Sequence, residues 1–179
     1  VKEYLELISS AVRDAEGVIE TLLDYPRAHT PNRERVPVSV LVAEGLEKQP
    51  PPEDVQVTIL IPDRIADLYI DPHQLERVLV NLVTNAYQAM PHGGKLIINA
   101  QAEAGLVRLM ITDTGVGISS ENRLKIFEPM FTTKARGIGL GLALSRLLIE
   151  ANGGRITVNS TEGQGSTFTL TLPTEEMTL

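Results

Sequence analysis

Asp113-Thr114-Gly115-Val116-Gly117-Ile118 places a carboxylate and two glycines at the end of an apolar run. Leu106, Val107, Leu109, Met110 and Ile111 read as a buried strand, which delivers Asp113 to the lip of a pocket. Gly115 and Gly117 let the following backbone approach a flat ligand with no Cβ in the way. An isolated Asp-x-Gly-x-Gly is also the sequence of an ordinary Asp-Gly turn. Its meaning here depends on three further stretches in fixed order: Asn81-Leu82-Val83-Thr84-Asn85-Ala86 upstream, then Phe127-Glu128-Pro129-Met130-Phe131-Thr132-Thr133-Lys134 and Gly137-Ile138-Gly139-Leu140-Gly141-Leu142 downstream.

Composition narrows the possibilities. The 179 residues are 42% hydrophobic but only 4% aromatic, with no Trp, so one aliphatic core plus an extra helix is the expected content. A net charge of −7 leaves no basic stripe to neutralise phosphates along a strand, which argues against a nucleic-acid partner. The absence of cysteine removes disulfides, thiolate chemistry and Cys-ligated zinc together, and three scattered histidines offer no metal cluster. With no apolar run of about 18 residues, no direct membrane contact is expected, and the acidic balance fits a cytoplasmic location. A longer parent protein anchored upstream is compatible with that reading.

Taken in order, the chain opens with Val1, Tyr4, Ile8, Ala11, Ala15, Val18, Leu22 and Tyr25 at alternating steps of three and four, with Leu5, Val12 and Ile19 widening the seam. This heptad pattern predicts a long amphipathic helix in search of a partner helix, stopped by Pro26 and Pro31. Residues 27–37 have linker composition, which divides the chain into a helical piece over 1–30 and a second domain over 31–179, with folded structure expected from about Val36. Ser39 is the expected cap of a short helix to Lys48, and residues 55–61 alternate as a strand. Asp71-Pro72 combines an N-cap with Pro at the first helical position, opening a long helix through Met90 that His92-Gly93-Gly94 ends. Hairpin strands are expected over 95–102 and 106–112, a short helix over 119–127, a loop over 129–136 and a helix over 138–151 stopped by Asn152-Gly153-Gly154. A final hairpin of 155–160 and 166–172 completes an α+β fold, a two-layer sandwich with one mixed sheet and its helices on one face, preceded by one long helix.

Asn81, Asn85 and Gln88 fall at spacings of four and three, so their amides share one helix face while Leu75, Val78, Leu79 and Leu82 point into the core. Neutral amide oxygens suit Mg²⁺ bound to a nucleotide, which keeps several waters and takes phosphate oxygens plus one or two protein groups. Gly137, Gly139 and Gly141 precede an amphipathic helix whose first N–H groups and dipole favour an anion. With no GK[ST] following and no strand before it, this is neither a Walker A loop nor a Rossmann turn. Together with Gly163-Gln164-Gly165-Ser166-Thr167-Phe168, these stretches resemble, over roughly residues 36–173, the N, G1, F, G2 and G3 boxes of sensor histidine kinases, members of the GHKL superfamily. The wording of the boxes is most similar to the nitrogen-regulator and sporulation-kinase branch.

The resemblance implies the Bergerat ATP-binding fold and a domain that binds ATP or ADP with Mg²⁺. On that pattern Asp113 reads the N6 amine of adenine, Asn85 is the Mg²⁺ ligand and Asn81 supports the phosphates or the metal's waters. Gly115, Gly117, Gly137, Gly139, Gly141 and Leu142 line the nucleotide, and Thr167 completes the adenine site through a water-bridged hydroxyl. Lys134 is the expected counter-charge for the phosphates, with Arg136 as the alternative. Phe127 and Phe131 pin a short lid, in which only Ala135 and Arg136 separate Lys134 from Gly137.

The same fold resembles gyrase, Hsp90 and mismatch-repair ATPases, in which a Glu four residues before the Mg²⁺ Asn orients the attacking water. Asn81 stands at that position here. An amide takes no proton at neutral pH, so transfer to an external nucleophile is expected, with Asn81 and Lys134 as the catalytic candidates. A serine kinase of the anti-sigma class and a non-catalytic, nucleotide-gated interaction module are the alternatives. The helix over 1–30 resembles the second helix of the kinases' dimerisation and phosphotransfer hairpin, although Pro26 in Leu22-Leu23-Asp24-Tyr25-Pro26-Arg27 departs from the pattern. The acceptor histidine is expected outside this sequence, because His29 precedes Thr30-Pro31, His73 follows Pro72 and His92 lies in the Gly-Gly turn. The implied partners are a histidine-containing dimerisation domain of the same kinase, a response regulator, and a second copy in a full-length homodimer.

Overall fold

A computed structural model describes residues 30–134 and 137–175; the expected heptad helix lies outside them. The Asp113 strand, β5 (Leu106–Asp113), is the centre of a five-stranded sheet. On one side it pairs with β4 (Gly94–Glu103) and, beyond that, β2 (Val55–Leu60); on the other with β7 (Gly165–Pro173) and then β6 (Arg155–Thr161). β2 runs parallel to β4 and every other pairing is antiparallel, so the sheet is mixed, as the sequence predicts. Along β5 the buried residues Val107, Leu109, Ile111 and Asp113 alternate with Leu106, Arg108, Met110 and Thr112, which are open to solvent to differing degrees. One face therefore belongs to the core.

That face is covered by α1 (Val38–Lys48), α2 (Pro72–Ala89) and α4 (Gly141–Ala151), giving the two-layer arrangement. Leu75, Val78, Leu79 and Leu82 of α2 are buried with Leu96 and Ile98 of β4 and Leu170 of β7. Each such side chain stabilises by about 1.5–3 kcal/mol before chain entropy is subtracted. Asp71 caps α2 by accepting from Gln74 N at 3.1 Å, with Pro72 behind it, so the expected start of this helix holds.

Four local expectations are corrected. Pro37, not Ser39, is the N-cap of α1; its carbonyl accepts from Val40 N and Leu41 N, which starts the helix before Ser39. The segment expected as a helix over 119–127 is helical only in α3 (Ser120–Arg123), because Ile126 alone is buried there and Leu124 is 82% exposed, too little packing to propagate a helix. α4 begins at Gly141 rather than Ile138, since Gly139 takes φ 70° and lies against the Phe131 carbonyl. Finally, part of the expected linker is a strand: β1 (Glu34–Val36) pairs antiparallel with β3 (Leu68–Ile70) in a separate two-stranded sheet.

Folded contacts consequently begin before Val36. Asn32 N donates to Asp71 Oδ2 at 2.9 Å, Arg33 Nη2 to Ala151 O at 2.7 Å and Arg35 Nη1 to Thr174 O at 3.3 Å. Asn152, the C-cap of α4, closes the cluster: its Oδ1 accepts from Asp71 N, and its Nδ2 donates to Gln74 Oε1 and Leu148 O, each at 2.8 Å. Buried amides satisfied this fully hold the start of α2 against the end of α4. Those two helices carry the site.

Candidate functional site

Because its leucines and valines commit one face of α2 to the core, Asn81, Asn85 and Gln88 project together from another. Asn81 Nδ2 donates to Ser145 Oγ of α4 at 2.9 Å, and Ser145 Oγ donates to Gly141 O at 2.9 Å. Asn81 Oδ1 accepts from Asn85 Nδ2 at 3.3 Å. Both ends of the Asn81 amide are thus occupied. Lys134 Nζ donates to Asn85 Oδ1 at 2.6 Å and to Gln88 Oε1, which brings the loop lysine onto the same face. Gly141 is glycine for a visible reason: a Cβ there would lie 2.4 Å from Asn81 Oδ1. Leu142 is partly buried against the core.

Gly137 and Gly139 lie in the loop that leads into α4. No side chain caps that helix at Leu140, unlike α2 and α3, so its first N–H groups keep their capacity to bind an anion. Phe127 and Phe131 pack partly buried against the core, and Gly139 sits against the Phe131 carbonyl. Arg136 lies outside the described residues. Partial desolvation lowers the pKa of the Lys134 ammonium from its ordinary 10.5, although much of the side chain is exposed.

Asp113 is 4% exposed at the end of β5. Burial raises its pKa from the ordinary 3.8, an effect opposed by backbone N–H bonds from Gly115 and Ser166. Its Oδ1 accepts from Gly115 N at 2.8 Å, which turns the chain immediately after the carboxylate. The glycine loop is then stitched on both sides. Val116 N donates to Ala89 O at 2.9 Å, where a Cβ on Gly115 would reach 2.4 Å, and Gly117 at φ 68° leaves no room for a Cβ beside Thr161 O. Ile118 N donates to Ser160 Oγ at 2.8 Å and Gly163 N to Val116 O at 2.7 Å. Since Ala89 directly follows Gln88, this stitching brings the Asp113 loop to the end of the amide face.

Thr167 stands on the other face of the sheet from Asp113. In the β5–β7 register Asp113 pairs with Ser166 and Thr112 with Thr167, and neighbours along a strand point to opposite faces. Thr167 Oγ1 lies 3.0 Å from Thr112 Oγ1 on the open face, whereas Ser166 is buried beside Asp113 with its Oγ 3.0 Å from Ser160 Oγ. Ser166 and Ser160 are the polar residues of this corner that the box reading misses. A usable signal existed: Ser166 shares the parity of Phe168, Leu170 and Leu172 along β7. A pocket of about 150 Å³ near Thr112 and Thr167 includes Asp113 but none of Asn81, Asn85 or Lys134. It is smaller than the roughly 300–1,000 Å³ of ordinary ligand sites and does not define the site.

No group of three His, Asp or Glu side chains suited to a metal occurs among the described residues. The donors at hand are amide oxygens, which fit a metal that arrives on phosphates.

Residues 70–176 match the family described as "Histidine kinase-, DNA gyrase B-, and HSP90-like ATPase". The chain belongs to this family. The matched span of this ATPase domain runs from the cap of α2 past the end of β7 and contains all five boxes. The chain is 42% identical over 120 residues to "Sensor histidine kinase ZraS" of Escherichia coli, covering 67% of this chain and 26% of that protein. Over 177 residues it is 31% identical to "Sporulation kinase E" of Bacillus subtilis, covering 97% of this chain and 24% of that one. The chain thus spans about a quarter of these curated relatives. Among solved structures, the catalytic domain of histidine kinase ThkA superposes with a TM-score of 0.72 at 28% identity, covering 80% of this chain and 96% of that one. Full-length ShkA, solved in complex with AMPPNP, shares the fold with a TM-score of 0.80 at 24% identity, covering 96% of this chain and 38% of that one. Among the described residues no helix is long and apolar enough to cross a membrane.

Proposed function

We propose that this chain is the ATP-binding catalytic part of a two-component sensor histidine kinase, moving the γ-phosphoryl group of Mg-ATP onto a histidine outside this sequence. Residues 1–30 supply the second helix of the dimerisation hairpin and residues 31–179 the catalytic domain. The observation that carries the reading is Asn81: an amide held by Ser145 and Asn85 stands where the hydrolytic relatives place a carboxylate, and it accepts no proton from water. The names of the relatives and the response regulator TrrA complexed with ThkA in a structure sharing this fold support the same reading.

In this mechanism Asp113 accepts from adenine N6, with Gly115 and Gly117 admitting the ring and Ser166 in place of Thr167 beside the carboxylate. The uncapped start of α4, reached through Gly137, Gly139 and Gly141, takes the phosphates. Asn85 would give one amide oxygen to Mg²⁺, with Asn81 holding that amide; Mg²⁺ bound there would neutralise charge on the phosphate oxygens. Lys134 adds a positive charge, and Leu142 closes the apolar side. A neutral imidazole nitrogen of the acceptor forms the new N–P bond as the bond from Pγ to the ADP oxygen breaks, and the imidazolium proton passes to solvent. Almost all of the rate enhancement comes from positioning and charge. The full-length protein works as a homodimer in the cytoplasm, passing phosphate to a response regulator.

The test is transfer from γ-labelled ATP in the presence of a cognate two-helix dimerisation domain. Acid-labile, base-stable label should appear on the added domain and none on this chain. Label on His29, His73 or His92, acid-stable label on an added serine substrate, or rapid phosphate release without an acceptor would overturn the assignment.

A further inference from the structure

The Lys134 ammonium donates to two amide oxygens at once, Asn85 Oδ1 at 2.6 Å and Gln88 Oε1. Only the first belongs to the nucleotide chemistry described above. We propose that Gln88 is a positioning residue that retains Lys134 on Asn85, so that loading of Mg²⁺ requires the exchange of one cation for another at a single amide oxygen. The inference rests on the reading of Asn85 as the metal ligand.

The geometry leaves Asn85 no second way to serve. Its Nδ2 donates to Asn81 Oδ1, and the Asn81 amide is in turn held by the Ser145 bond, so the single oxygen of Asn85 is kept facing Lys134. Mg²⁺ binds oxygen at about 2.0–2.1 Å in a nearly ideal octahedron, and an ammonium on the same oxygen sets two cations within a few ångström of each other. Gln88 lies three residues beyond Asn85 on the same helix face, where its oxygen closes a two-point socket around the ammonium. Weakening that socket frees Asn85. When Mg-nucleotide takes Asn85, the displaced Lys134 is released beside the phosphates, and Gln88 thereby sets the Mg²⁺ concentration at which the site fills.

The experiment is a double-mutant cycle on the whole chain, read as the Mg²⁺ midpoint for binding of a fluorescent ADP analogue. Gln88→Leu should lower the midpoint about threefold, the effect of one exposed hydrogen bond, whereas the Lys134→Met shift also includes the lost counter-charge on the phosphates and serves as the background of the cycle. Adding Gln88→Leu to Lys134→Met should shift it no further, because Gln88 acts only through the lysine. Equal shifts in both backgrounds, or an unchanged or raised midpoint for Gln88→Leu alone, would overturn the inference. Mg²⁺-dependent binding that Asn85→Ala abolishes keeps the nucleotide site intact even if the cycle is additive. Loss of all Mg²⁺-dependent binding in the unmutated chain overturns the site and the socket together.

Discussion

Replacing Asp113 by Asn preserves the shape of the side chain and converts one acceptor oxygen into an N–H₂ donor. The oxygen that accepts from Gly115 N at 2.8 Å can keep its bond, so the turn after β5 survives. Toward adenine the substituted group meets the N6 amine donor to donor. Loss of a hydrogen bond to a charged, buried acceptor costs about 2 kcal/mol, equivalent to roughly 30-fold in Kd. Guanine, with an oxygen at the same place, should gain relative to adenine. Without nucleotide the neutral amide relieves the desolvation of a buried carboxylate while losing the charge on its backbone bonds, so thermal unfolding should shift little. Calorimetry with ADP and GDP at saturating Mg²⁺, beside unfolding of both proteins without ligand, reads all three effects. A wild-type chain that binds GDP as well as ADP, or an Asp113→Asn chain within about twofold of wild type for ADP, would refute the assignment of Asp113 as the adenine reader.

Four further outcomes follow from the structure. Ser166→Ala should weaken ADP binding while Thr167→Val leaves it unchanged, and the reverse order in the same calorimetry would restore Thr167 to the site. Burial raises the Asp113 pKa above 3.8, so ADP affinity should begin to fall at a higher pH than an ordinary aspartate dictates. The stability sign is opposite: ionised Asp113 costs stability at neutral pH, and that cost disappears as pH falls through the raised folded value toward 3.8. Urea unfolding of wild type against Asp113→Asn should therefore show the wild type gaining relative stability over that window, and a relative loss would contradict the burial argument. Asn152→Ala removes the bonds to Asp71 N, Gln74 Oε1 and Leu148 O and strands a buried N–H, which should cost about 2–3 kcal/mol in urea unfolding; a loss under about 0.5 kcal/mol would show the cluster to be dispensable.

The two-layer architecture, the family and the membership of the amide face are legible in the residues because they depend on local periods and local caps. Asp71-Pro72 opens α2 by its own chemistry, the leucines of α2 recur at helical spacing, and β5 alternates toward Asp113. Pairing between distant segments has no such signature. The three-residue strand β1 is too short to alternate convincingly and becomes a strand only because β3 lies beside it. Ile138 carries a helical pattern, yet contact between Gly139 and Phe131 holds it in a loop and delays α4 to Gly141. Thr167 and Ser166 are adjacent hydroxyls, and the cross-strand register that sets Ser166 against Asp113 decides between them. Lys134 finds Gln88 across 46 residues of sequence, and Asn152 finds Gln74 across 78. Which donor meets which acceptor at such separations is settled by the packing of α2 against α4 and of the loop against both, since a hydrogen bond depends on tenths of an ångström that no local pattern encodes.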